Sequence, residues 1–509
     1  MSTRVNFCAC RHAHAYAVAG LLSKTGATLP HAALSEQRRS RRTKGSKMKR
    51  RKRFAGVMAL ATGLLLSACA TSANNSGGGA SGAATEEEKT PPKLTNCTNE
   101  MKNDAPQVSV WAWYPNMPNV VDNFNTNHTD VQICWNNVGQ GGDEYTKVQT
   151  AISAGKGLAD VVMLEADRLS SFSIQNALVD LAPYGADEVK GNFREGAWKD
   201  VSQGDKVFAI PVDGGPMGMI YRTDVFKKYQ ITPPATWDQY AATAQKLKDA
   251  GGPHFGDLGS NVPALFMALQ QQKGAVPFGY DPAKPQDLTI KLNDQASKDV
   301  LNYWADLVKR DLVGTQDHFT TDYISGVVSG KYATYVSAAW TPGYLTGAGV
   351  GKGSSKGVWA AAPLPQWDAA NPVSVNWGGS AFAVTTQAPN KRLAAIVAKG
   401  IYADQASLEE GWKKQIIFPL SKTVQDSPDF VNNKSEFFNG QTANKDVYVP
   451  AGNAYKGTVY APIQVYYYAQ LQAQLAKIIN GKTTGDQAAD DLQARIVKYA
   501  ESQGFNVTA

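Results

Sequence analysis

The residues of this chain best suited to chemistry are aromatic planes set among short acids and amides. There are eleven tryptophans, and several stand at strand ends or in loops rather than in helical core patterns. Trp113 and Tyr114 close the first strand-like run, where open α/β sheets present ligands. Trp340 lies in Ala339-Trp340-Thr341-Pro342-Gly343, whose Pro and Gly disfavour a regular core element. Trp377 precedes Gly378-Gly379, where a missing Cβ lets a ligand approach the backbone. An aromatic plane covers a weakly apolar C–H face, and carboxylate, amide and guanidinium groups bond hydroxyls in pairs, so these types suit a polyol. Packing competes at each position. Trp111 shares the face of Trp113 if the strand continues, so one of the two is core. Asn261, in Gly259-Ser260-Asn261, is a candidate donor. In Tyr466-Tyr467-Tyr468, successive helical residues point about 100° apart, so at least one is core while Tyr466 or Tyr467 could face a ligand. No nucleophile elbow, HExxH or paired-acid signature stands out, and no metal or cofactor is expected.

The N-terminal segment carries an address. Lys49-Arg50-Arg51-Lys52-Arg53 precedes an uncharged run of 13 residues, 54–66. That is too short to span a bilayer, which takes roughly 20. Basic cluster, apolar run and small residues together form a secretory signal over 48–68. Leu66-Ser67-Ala68-Cys69 resembles the lipobox of bacterial lipoproteins, which implies a diacylglycerol thioether on Cys69 as the first mature residue. Met48 sits directly before the basic cluster and is the expected natural start, so residues 1–47 are set aside as a start codon placed too early. Without residues 1–68 the formal charge moves from +7 to −6, and no basic patch remains to recognise nucleic acid. Cys97 and Cys134 are then the two cysteines left for one disulfide in an oxidising compartment, or for two free thiols.

Residues 69–104 are Gly/Ser-rich and charged, a flexible tether. The body, 105–509, is too large for one ordinary core. Extended runs at 108–114, 131–137 and 160–165 alternate with helical ones at 119–127 and 145–154, the βαβα order of an α/β lobe with largely parallel strands. Thr236-Trp237-Asp238-Gln239 carries a helix start, and helices are expected over 294–311, 462–480 and 486–503.

The order of motifs resembles the extracellular solute-binding proteins of sugar ABC importers, the class that includes maltodextrin-binding protein. The motifs are Val110-Trp111-Ala112-Trp113-Tyr114, Ala154-Gly155-Lys156-Gly157-Leu158-Ala159-Asp160-Val161-Val162, Phe208-Ala209-Ile210-Pro211-Val212-Asp213, Ile220-Tyr221-Arg222-Thr223-Asp224, Pro233-Pro234-Ala235-Thr236-Trp237, Trp377-Gly378-Gly379-Ser380-Ala381-Phe382-Ala383-Val384 and Ala388-Pro389-Asn390-Lys391. The resemblance implies a two-lobed α/β fold of the periplasmic-binding-protein kind, with crossing strands near 210–221, 377–384 and 418–422 and a ligand cleft between lobes. Lobe 1 would take approximately 105–212 and 381–420, and lobe 2 approximately 213–380 and 421–509. It also implies site residues: Glu165, Asp167 and Arg168 in the loop that holds sugar hydroxyls, Asp213 at the first crossing, and Trp340 as the stacking aromatic of the second lobe. Asp167 as a helix cap and Asp213 as an ordinary turn acid stay open. The expected function is a lipid-anchored, extracellular, monomeric receptor without catalysis, which captures an oligosaccharide and delivers it to a membrane permease. An exported glycoside-acting enzyme, or a binder of another ligand such as ferric ion held by adjacent tyrosines, are the alternatives.

Overall fold

The computed structural model describes Lys89 and residues 91–509. The signal segment 48–68, Cys69 and residues 1–47 lie outside the described residues. The body is a mixed α/β structure built on one seven-stranded sheet. Its strands are β1 (Gln107–Trp111), β2 (Gln132–Asn136), β3 (Val161–Glu165), β4 (Ile210–Arg222), β5 (Thr334–Ala338), β6 (Trp359–Pro363) and β7 (Asn376–Val384). β2, β1 and β3 pair in parallel, linked by helices Met117–Asn127 and Gly142–Ala154. β7 then joins β3 antiparallel and pairs with the first half of β4. The second half of β4 carries β5 on one edge and β6 on the other, both antiparallel. The sheet is therefore parallel only at one end, because strands that pass back and forth between two bodies must alternate direction.

β4 is a single strand that serves two cores. Ile210 and Val212 pack with Val110, Ile133, Met163 and Phe382. Met217 and Met219 pack instead with Trp237, Phe266, Trp304 and Leu471. Between them, a Cβ on Gly215 would fall 1.9 Å from the carbonyl oxygen of Trp377, so only glycine lets the two crossing strands approach there. A third segment crosses beside them: Gly214 N–H donates to Phe418 O and Leu420 N–H to Val212 O, each at 2.9 Å.

The helix starts follow their residues. Thr236 Oγ1 accepts from Gln239 N–H at the head of Trp237–Asp249, and Trp237 and Trp304 are packed, with ring centroids 5.9 Å apart. Strand β1 stops at Trp111, so Trp113 and Tyr114 stand in the loop after it rather than at its end. The alternation that would put Trp111 and Trp113 on one face is lost there. Trp111 packs on one side of the sheet with Val162 and Leu164, and Trp113 on the other with Val110 and Met163.

Two residues expected at a ligand prove to be part of the crossing. Asp213 is 5% exposed, and its Oδ1 accepts from the Tyr114 hydroxyl and, at 3.0 Å, from Ser380 N–H of β7. Burial pushes the Asp213 carboxyl up to about 6, while the bonds from Tyr114 and Ser380 pull it down. Burial and the Asp213 charge push the Tyr114 phenol well above its ordinary value. Both side chains face inward because the carboxylate supplies an acceptor where the ladder between β4 and β7 slips register.

Residues from Leu94 onward are also tied down. Leu94 N–H donates to Gln107 Oε1 at 2.7 Å, Thr98 N–H to Trp135 O at 2.9 Å and Trp135 N–H to Asn99 Oδ1 at 2.7 Å. Cys97 and Cys134 form a disulfide. This stretch was expected in the tether; backbone pairing to β2 makes it part of the body.

Two outcomes follow. The disulfide closes a separation of 37 residues, a constraint worth about 2–4 kcal/mol. The double variant Cys97→Ser/Cys134→Ser should lose that stability in denaturant titrations, and an unchanged midpoint would contradict the constraint. The raised Asp213 carboxyl has the opposite sign from a salt-bridged acid. Its contribution is intact below the unfolded value of 3.8 and lost as pH rises through about 6. Asp213→Asn should therefore gain on the native protein between pH 4 and pH 7, by up to about 3 kcal/mol; a gap independent of pH would refute the burial account.

Candidate functional site

Strand β3 runs into helix Ala166–Ser173, so Glu165, Asp167 and Arg168 emerge together at its carboxyl end. Facing them is helix Pro263–Lys273, which presents Ala264, Met267, Ala268 and Gln271 on one stripe. Crossing strand β7 supplies the floor with Asn376, Trp377, Gly378 and Gly379, and Tyr460 and Tyr468 close the far side. The space between these walls is about 310 Å³ counted out to open solvent. The walls come from both cores and nearly touch. A larger hollow, about 610 Å³ counted in the same way, lies beside Lys248, His254 and Asp311 and is a surface feature. Its charges are spent on one another, with Lys248 and His254 at 3.2 and 2.9 Å from Asp311.

The cleft holds a compact charge cluster. Arg168 Nε is 3.1 Å from Asp167 Oδ1, an ion pair too bent to hydrogen-bond, so neither atom has a hydrogen-bond partner. The guanidinium carbon lies 4.9 Å from the ring centroid of Tyr145 and 5.4 Å from that of Tyr468. One cation therefore bridges rings from opposite walls. Glu165 accepts from the Tyr145 hydroxyl at 2.7 Å. Burial drives its carboxyl upward and the Asp167 charge adds to that, against the pull of Arg168 and the Tyr145 bond. Asn376 Oδ1 is likewise buried without a partner. Buried polar groups are usually hydrogen-bonded, so these three atoms keep bonding capacity that a ligand in the cleft could use.

Of the residues singled out from sequence, Glu165, Asp167, Trp377 and Gly378 line this cleft, with Arg168 between its walls. Trp340 stands beside it and donates from Nε1 to Trp377 O at 2.8 Å, the two rings meeting edge to face at 5.0 Å. Trp113 sits behind it, edge-on to Tyr145 at 5.9 Å. Asn261 is a brace rather than a free donor: its amide bonds His318 O at 2.8 Å and accepts from His318 N–H at 2.9 Å. Tyr466 is stacked on Tyr499 at 3.7 Å. Tyr467 is fully buried, edge-on to Phe278 at 5.0 Å. The next residue, Tyr468, is the one that the helix turns to the cleft. Tyr145, Met267, Gln271, Asn376 and Tyr460 also escaped sequence reading. Asn376 adjoins Trp377, but Met267 and Gln271 look like ordinary residues of an amphipathic helix. Among the described residues no group of three metal-capable side chains gathers, and no helix is long and apolar enough to cross a membrane.

Residues 113–399 match the family of the bacterial extracellular solute-binding protein. The arabinooligosaccharide-binding protein of Bacillus subtilis is 26% identical over 307 residues, 58% of this chain and 67% of the relative. The lactose-binding protein of Rhizobium radiobacter is 24% identical over 380 residues, 69% of this chain and 84% of its own. Among solved structures, an ABC transporter associated binding protein from B. animalis subsp. lactis in complex with β-1,6-galactobiose is 25% identical, with a TM-score of 0.67 over 80% of this chain and 100% of that one. The galacto-N-biose/lacto-N-biose I-binding protein of Bifidobacterium longum shares the fold, with 21% identity and a TM-score of 0.70 over the same shares. With the match spanning more than half its length, on a two-core fold with a cleft at the crossing strands, the chain belongs to the bacterial extracellular solute-binding proteins.

Proposed function

We propose that this protein is the saccharide-capturing component of an ABC importer, held at the outer face of the cell membrane by lipid on Cys69. The observation that carries the reading is the cleft itself. Trp377, Tyr460 and Tyr468 offer planes for C–H faces, and Asp167, Arg168 and Asn376 hold buried polar atoms that make no hydrogen bond within the protein. Hydroxyl pairs on a pyranose or furanose ring meet both needs, and the relatives named above bind arabino-oligosaccharides, lactose and galactobiose. The ferric alternative loses its support because Tyr466 and Tyr467 point away from the cleft and from each other's partners. No reaction is needed. The lobes close because a bound sugar bonds both walls at once, and a ligand can favour closure only by such differential contact. The closed, loaded form would be the one that docks on a membrane permease. A lipid tether keeps an otherwise diffusing receptor close to that permease, and the chain works as a monomer because both walls come from one polypeptide.

Calorimetry of the purified protein against di- to pentasaccharides built of arabinose or galactose should find at least one binder. Trp377→Ala should weaken that binder about three- to tenfold, the scale of an aromatic contact. Silence across the panel would sink the reading. For the anchor, Cys69→Ser should shift the protein from the membrane fraction to the medium or soluble fraction; unchanged membrane association would rule out lipid at that residue.

A further inference from the structure

Outside the cleft, the second lobe spends much of its structure on presenting a single aromatic ring. Phe319 is 48% exposed and its backbone sits at φ +65°, a left-handed conformation that a bulky side chain rarely adopts. Such strain persists only where the surroundings hold it. They do so here through the loop before helix Pro263–Lys273. Asp257 Oδ1 pairs with His318 Nε2 at 2.9 Å, with both side chains buried. Asn261 clamps the His318 backbone from both sides, and Ser260 N–H and Oγ reach Asp317 Oδ1 at 3.1 and 2.9 Å. The His318 ring is stacked on Tyr323 at 4.4 Å. Every neighbour of Phe319 is thus pinned, while its own ring stands in solvent.

The ring is not isolated. Its centroid is 6.2 Å from those of Trp340 and Trp377, and 5.2 Å from that of Tyr344. Trp377 is 8% exposed and lines the cleft. Trp340 is half-buried beside it, and Phe319 is largely open. The Phe319, Trp340 and Trp377 rings therefore form one aromatic cluster at the edge of the cleft, in which Phe319 is the exposed member. An aromatic ring half exposed at the rim suits a ligand that is longer than the cleft and carries a further weakly apolar face beyond it. We propose that Phe319 is the platform of an outer saccharide subsite, and that it makes the protein favour chains longer than a disaccharide. This rests on the saccharide reading of the cleft and adds a length preference to it.

The test uses calorimetry with two homologous series, arabino-oligosaccharides and galacto-oligosaccharides of two to five units, on the native protein, Phe319→Ala and Phe319→Tyr. In the series that binds, the native protein should prefer the longer members. Phe319→Ala should cost the longer members about three- to tenfold and the dimer nothing measurable, and Phe319→Tyr should restore the preference. Thermal melting of Phe319→Ala should stay close to that of the native protein, since the ring is about half exposed and alanine keeps the same left-handed backbone. If a series binds and Phe319→Ala weakens every length equally, or none, the outer subsite is overturned while the cleft reading stands. If neither series binds at any length, the cleft reading falls and the outer subsite falls with it.

Discussion

The structure depends on two strands that belong to both lobes at once. β4 and β7 pair across the crossing, and each contributes side chains to a core on either side. Backbone donors and acceptors in such a place are obligatory partners, so the lobes cannot separate without breaking a buried ladder. They can only bend about it. Asp213 occupies the slip in that ladder, bonded to Ser380 of one crossing strand and to Tyr114 of the first lobe. It holds the hinge together at the expense of burying a carboxyl, which explains why its proton affinity is raised.

The cleft inherits its chemistry from the same arrangement. Because β3 lies beside β7, the charged turn at Glu165–Arg168 and the Trp377–Gly379 floor meet at one point. A buried guanidinium is tolerated there because Asp167, Glu165 and two aromatic faces surround it. The Tyr468 face belongs to the opposite wall. Arg168 thus makes a contact across the cleft to which a ligand would add its own.

Much of this was legible in the sequence. The helical repeats and the Thr236 cap depend on local pattern, which a single chain displays, whereas the crossing segments were legible only through the family resemblance. Trp377 and Gly378 were legible because a Gly-flanked aromatic is where a ligand can reach the backbone, and Glu165 and Asp167 through the family resemblance. The misses share one cause. Tyr114 and Asp213 are polar for the sake of each other, and nothing local announces a partner 99 residues away. The choice among Tyr466, Tyr467 and Tyr468 turns on how one helix rotates against Phe278 and Tyr499, a tertiary fact. Met267 and Gln271 use helix spacing that serves a core equally well.

Closure about a saccharide is the central claim, and small-angle scattering in solution addresses it most directly. The Arg168 guanidinium lies against Tyr468 of the opposite wall, so a sugar ring enters only if the walls part and return. The radius of gyration should therefore be larger without ligand and shrink on adding a saccharide shown to bind by calorimetry. A scattering curve unchanged by a bound saccharide would contradict the account.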